Sequence, residues 1–156
     1  MKLLVLADPH LDLYFAGGVD PFKDVSAEQL GCITHCVLAG DVSNKGHKKW
    51  KECLRWITAR LPEAQVFVMP GNHDYYDGCI DQEDKLRDVA AVYGAAFIQK
   101  SELVFGRHRI LCCTLWTDFE IYGDRTDNLR HAATYMNDYN FIRVARKGYK
   151  KLVPVE

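Results

Sequence analysis

No apolar run in this 156-residue chain approaches the length needed to cross a bilayer. The opening Leu3-Leu4-Val5-Leu6-Ala7 stops at Asp8, too soon for the apolar heart of a secretory leader. The expectation is a cytoplasmic protein with no membrane association. An excess of one charge is also lacking: the net charge is −1, which argues against wholesale binding to nucleic acid, although a nucleotide substrate stays open. Low-complexity segments are absent, and a composition 48% hydrophobic and 26% charged excludes a disordered tail. The six cysteines lack the spacing of a disulfide framework. Cys32, Cys36, Cys53, Cys79, Cys112 and Cys113 fall in or beside apolar segments, as free thiols in a reducing compartment would. Cys32 and Cys36 flank His35, but no second pair follows, so packed thiols are expected there over zinc. Adjacent Cys112 and Cys113 on one strand must point to opposite faces.

What is present is a repeated arrangement. Val66-Phe67-Val68-Met69 reads as a short buried strand stopped by Pro70-Gly71 and followed by Asn72-His73-Asp74. Residues 2–7 run likewise into Asp8-Pro9-His10, and residues 34–39 into Gly40-Asp41. Three hydrophobic strands therefore each deliver metal-type ligands at one end. In open α/β sheets the carboxyl ends of strands are where ligands bind.

The rest of the chain supports one domain over residues 1–156. Residues 2–7, continuously apolar, predict a central strand covered on both faces. Residues 11–31 read as a long connection with a short helical turn near 26–30. Trp50, Cys53, Leu54, Ile57 and Leu61 recur at helical spacing and predict a helix over 46–61. Lys45, Lys48, Lys49 and Lys51 near its start read as a solvated face. A second helix should begin near Asp81, as its cap, and stop at Gly94. Strand, loop and helix in alternation predict right-handed crossovers and a parallel sheet. From there the pattern changes to short strands at 96–98, 102–105 and 109–114 with antiparallel pairing. A loop over 117–126 leads to a helix over 127–137 with Leu129, Ala132, Ala133 and Met136 inward, and a basic, weakly patterned end over 143–151.

Asp8, His10, Asp41, Asn72 and His73 together offer carboxylates, imidazoles and an amide without a thiolate, a set suited to manganese, iron, zinc or related divalent ions. Asp-x-His, Gly-Asp and Gly-Asn-His-Asp, with 33 residues from Asp8 to Asp41 and 31 from Asp41 to Asn72, resemble the calcineurin-like metallophosphoesterases. Leu115-Trp116-Thr117-Asp118-Phe119 and Met136-Asn137-Asp138-Tyr139 are similar to segments of a bacterial and phage subgroup, so the resemblance covers about residues 1–144. It implies an α/β fold, a sandwich of two packed β-sheets flanked by helices. It also implies hydrolysis of a phosphate mono- or diester through a metal-bridging hydroxide. Asp8 and His10 would then bind one metal, Asp41 would bridge two, Asn72 would bind the second, and His73 would be the catalytic imidazole beside the site. Asp74 would either orient that imidazole or cap the following turn. Trp116 and Phe119 read either as cleft walls or as packing under a loop.

Two departures matter. The protein phosphatases of the family carry Asp and Arg where this chain has Asn44 and Lys45, which lowers the weight of that subgroup. The family's later histidine and Gly-His-x-His motif have no match after Asn72; His108 and His131 lie in a strand and a helix without that context. The expectation is a C-terminally truncated domain, its N-terminal portion. At most one ion would be tightly held, where the family holds two. Exposed strands would be open to self-association, and a non-catalytic scaffold on the same fold is the alternative function.

Overall fold

The computed structural model describes residues 1–121 and 123–154. Strands β1 (Leu3–Ala7), β2 (His35–Ala39) and β3 (Gln65–Met69) pair in parallel, with Val5 opposite Val37 and Val37 opposite Phe67. β4 (Ala95–Phe97) adds beside β3, giving the order β1-β2-β3-β4. Successive strands are neighbours because each return passes through helices on one face. These are α1 (Leu11–Ala16) and α2 (Ala27–Gly31) before β2, α3 (Gly46–Arg60) before β3, and α4 (Glu83–Val92) before β4.

That face holds the main core, where Cys36, Leu38, Val66 and Val68 of the strands meet Trp50, Cys53, Leu54 and Ile57 of α3 and Leu86 and Ala90 of α4. Each large side chain buried there contributes about 1.5 to 3 kcal/mol. α3 begins tight against the third strand-end loop. A Cβ on Gly46 would lie 2.9 Å from the Asp74 carbonyl oxygen and 2.9 Å from Trp50 Nε1. It stops at Leu61 because Pro62 disfavours helical geometry in the preceding residue.

On the other face β5 (Ser101–Phe105) and β6 (His108–Cys112) form an antiparallel hairpin. Leu103, Phe105, Ile110 and Cys112 point inward onto Val37, Phe67 and Ile98. The result is an α/β fold of two packed sheets with helices on the outer face of the larger one.

Several expectations need correction. β1 lies at an edge of the described sheet, and Val5 is 52% exposed. Leu4 and Leu6 pack on the helical side, but the hairpin reaches only Leu3 of this strand. The strand at 96–98 is not antiparallel: α4 ends at Val92, and Gly94 turns at φ 73 straight into β4 beside β3. Asp81 does not cap α4. Its carboxylate accepts instead from the backbone N–H groups of Ala145 and Arg146. The connection 11–31 contains α1 as well as α2, the first of them hidden from sequence by its start in left-handed backbone at His10, φ 41.

The helix expected over 127–137 is α5 (Arg125–Tyr135), shifted because Asp124 accepts from the N–H groups of Thr126 and Asp127. Of its four expected inward residues only Ala132 is buried. The loop expected over 117–126 includes Tyr122, which lies outside the described residues. The basic end is better ordered than its pattern suggests. α6 (Asp138–Phe141) leads into β7 (Arg143–Val144), which pairs with β8 (Lys150–Lys151), and Ile142, Val144 and Leu152 enter the main core. The cysteines are free, and Cys112 is buried while Cys113 is exposed. No helix among the described residues is long and apolar enough to cross a membrane.

Candidate metal centre

The loops that leave β1, β2 and β3 are stitched to one another by their backbones. His10 N–H donates to the Asp41 carbonyl at 3.0 Å, Leu11 N–H to the Val42 carbonyl at 2.9 Å, and Lys45 N–H to the His73 carbonyl at 3.0 Å. Asp8, His10 and Asp41 adopt positive φ of 48°, 41° and 46°, a strained choice for non-glycine residues and one that clusters at functional sites. Gly71 permits the closest approach: any Cβ there would overlap Asp41 Oδ1 and the Asp41 backbone nitrogen.

This stitching brings His10, Asp41 and His73 together, with one ligand atom of each within 4.8 Å of the others. His10 Nε2 lies 3.8 Å from Asp41 Oδ2, and the rings of His10 and His73 meet edge-on at 5.0 Å. Asp41 Oδ1 accepts from the His73 backbone N–H at 2.9 Å. Burial raises the Asp41 carboxyl above the ordinary carboxylate range, although the His73 N–H and the two imidazoles pull it back and Asp8 pushes it further up. His10 Nδ1 is buried with no hydrogen-bond partner among the described residues. The His10 imidazole, with Nε2 toward Asp41, and the buried Asp41 carboxylate form the start of a donor set that suits a borderline or hard divalent ion, and the His73 imidazole stands beside them.

Asp8 and Asn72 line the adjoining cleft, of about 420 Å³, with Gly40, Leu115, Trp116 and Asp138. Of the five residues singled out by sequence, His10, Asp41 and His73 form the cluster, and Asp8 and Asn72 lie on the cleft wall. His108 is exposed in β6, and the exposed His131 meets the Tyr135 ring at a tilt, 4.4 Å between centroids; neither joins the described cluster. Trp116 lines the cleft, and Phe119 lines a neighbouring apolar hollow of about 300 Å³ with Ile121 and Met136.

Sequence reasoning misplaced one role and missed two residues. Asp74, 1% exposed, neither orients His73 nor simply caps a turn. Its carboxylate accepts from the N–H groups of Val42 at 3.2 Å, Ser43 at 3.0 Å and Gly71 at 2.9 Å, and from the Trp50 indole at 2.7 Å. It fastens the second and third loops to α3. Burial nevertheless pushes it up to about 7, against the Gly71, Trp50 and Ser43 donors.

The partner of His73 is Asn44, whose Oδ1 lies 2.6 Å from Nδ1. An amide oxygen can only accept, so Nδ1 carries the proton and Nε2 is left for the cluster. A signal for Asn44 was present, since it occupies the position where the protein phosphatases carry Asp. The second missed residue is Asp138, which accepts from Asn72 Nδ2 at 2.7 Å across 66 residues of sequence. No spacing signals such a pair.

The family model described as calcineurin-like phosphoesterase matches residues 1–150. A search of curated proteins returns no match. Among solved structures, the phosphopantetheinyl hydrolase from Mycobacterium tuberculosis is similar, with a TM-score of 0.59 at 19% identity, over 90% of this chain and 54% of that one. At that identity the likeness is one of fold. The chain spans about half the length of that solved protein.

Proposed function

Because the chain belongs to the calcineurin-like phosphoesterase family, we propose that it hydrolyses phosphate mono- or diesters with divalent metal at the ends of β1, β2 and β3. The observation that carries this reading is the convergence of His10, Asp41 and His73 within 4.8 Å, on loops from three successive strands. Asp8, His10 and Asp41 would hold one ion, and Asp41 and Asn72 the other. Bound divalent ions would supply a nucleophile from water at neutral pH and neutralise charge on the phosphoryl oxygens. His73 would stand beside the leaving oxygen. Its Nδ1–H is fixed by Asn44, so its Nε2 can carry and deliver a proton.

The cleft narrows the substrate. Among the described residues its charged walls are Asp8 and Asp138, and neither it nor the apolar hollow beside it is lined by Lys or Arg. Such walls suit a neutral or apolar group on the ester and offer no Lys or Arg to the extra charge of a polyphosphate.

Three protein ligands at one position against two at the other predict at most one tightly held ion per chain. Elemental analysis after loading with manganese and desalting checks both parts: about one ion in the parent chain and none in Asp41→Ala. Two firmly held ions would refute the unequal sites. Manganese retained by Asp41→Ala at the parent level would refute the centre itself.

A further inference from the structure

We propose that Asp138 is a positioning residue that fixes the amide of Asn72 with its oxygen toward the metal centre. This rests on the metal-dependent reading above. The two faces of a carboxamide are similar in shape and opposite in chemistry, so an unrestrained Asn presents N–H or oxygen to a neighbour with little preference. A carboxylate only accepts. With Asp138 Oδ1 at 2.7 Å, Nδ2 must face Asp138, and Oδ1 is left for the other side, where Asn72 borders the cleft beside Asp8 and Gly40. A cation there meets an acceptor instead of two N–H groups.

The placement of Asp138 is rigid. Asp77 N–H donates to the Phe141 carbonyl at 2.9 Å, Ile80 N–H to the Arg143 carbonyl at 3.0 Å, and Arg143 N–H to the Gly78 carbonyl at 3.0 Å. These bonds lace the segment after Asn72 to the segment after α6. Tyr76 stacks on the His73 ring at 4.4 Å and meets the Phe141 ring of α6 at a tilt, 5.3 Å between centroids. Tyr139 and Ile142 anchor α6 in the main core.

A purely structural role accounts poorly for this residue. Asp138 is 5% exposed, and the one side-chain hydrogen bond it accepts among the described residues comes from Asn72. Burying a carboxylate for a single neutral donor costs more than it returns. Orientation of a ligand is a function that justifies the arrangement, as partners behind metal ligands generally do.

The test is a manganese titration of the isotope-labelled full chain, alongside thermal melting of the metal-free protein. Equilibrium dialysis counts bound ions and reads the second, weaker ion at the Asn72 end, while paramagnetic loss of the Gly71 and Asn72 backbone signals shows that metal enters the centre at all. Asp138→Asn should weaken manganese at the Asn72 end by about 10- to 100-fold, with the melting temperature of the metal-free chain not lowered. The swapped pair Asn72→Asp with Asp138→Asn restores one donor and one acceptor in reversed order, and it should recover most of that loss. Parent-level affinity in Asp138→Asn overturns the proposal. So does a folded swapped chain that stays weak, which would make Asp138 a ligand in its own right. If Asp138→Asn alone does not fold, the swapped chain carries the comparison with the parent. A parent chain whose Gly71 and Asn72 signals survive saturating manganese sinks the metal-dependent reading, and this inference with it.

Discussion

The carboxyl end of the parallel sheet and the hairpin packed on one of its faces are both built from short apolar strands, yet they end in different states. At the carboxyl ends of β1, β2 and β3 every loop is tied to another by backbone bonds and by the buried Asp74 carboxylate. The β5–β6 hairpin is satisfied on one side only: Leu103, Phe105 and Ile110 are packed, whereas Leu111 is 79% exposed and Leu115, just beyond, 91%. Strand propensity explains the strands in both places. What differs is the number of independent groups holding each backbone, and precise chemistry requires the first kind of support. The contrast between a locked site and a half-covered hairpin can be attacked from either side.

The largest effect is expected at the locked site. His73→Ala should lower turnover on an alkyl phosphate ester by about 10² to 10⁴-fold, and by less on a nitrophenyl ester, whose leaving group needs no proton. Metal content should stay at the parent level. Parallel kinetics on both esters with elemental analysis check this, and equal losses or a loss of metal would reassign His73 as a ligand. Asn44→Ala should follow the same selectivity with a smaller loss, because it frees Nδ1 without removing the ring.

The site was largely legible in the sequence because its parts are local. Asp8, His10, Asp41, Asn72 and His73 each lie within four residues of a strand end, so parallel pairing brings their loops to one edge, where backbone bonds between the loops gather His10, Asp41 and His73. What supports them was less legible because it is long-range. Asp74 bonds to residues 31 and 32 positions away, and Asp138 to one 66 positions away. Strand and helix existence followed from periodicity, while cover did not. The apolar run of β1 says that it prefers burial, not which neighbours are present to bury Val5. Likewise α5 carries apolar residues at helical spacing, but only Ala132 finds the core.

An intermediate effect is expected from Asp74, which sharpens the comparison by loosening the locked side. Asp74→Asn keeps one acceptor oxygen and strands other donors among Val42, Ser43, Gly71 and Trp50. The cost should be about 1 to 3 kcal/mol of stability at neutral pH. The pH dependence has a definite sign. The folded carboxyl sits up at about 7 against an ordinary 3.8, so in that interval the native chain holds a proton that the unfolded chain lacks. Its contribution is fully present below about pH 4 and is lost as pH rises through about 7. His47 acts in the opposite direction, since burial lowers its imidazole and charging it in acid costs stability. The difference between parent and Asp74→Asn isolates the carboxylate. Melting temperatures across pH 4 to 8 should show the parent losing its advantage over the variant toward the alkaline end; a gap that widens there contradicts the raised value.

The smallest change in folding stability is expected on the hairpin, where the consequence should be association. Val104 and Leu111 share the outer face of the β5–β6 pair, and Leu115 continues the exposed apolar surface. Along the sheet, β1 has no partner on its outer edge among the described residues. Apolar faces and open edges of this kind recruit other chains, so the parent chain should associate with rising concentration. Leu111→Ser removes apolar surface that is already in water, so it should alter monomer stability by less than about 0.5 kcal/mol. It should nevertheless shift sedimentation toward the monomer. Hydrogen exchange gives the same comparison residue by residue. Amides of β2 and β3, paired on both sides, should outlast those of β5 and β6, which have one partner each. A parent chain that stays monomeric at high concentration, with the hairpin protected as well as β2 and β3, would erase the contrast between the locked strand ends and the hairpin. The exposed leucines would then be ordinary surface.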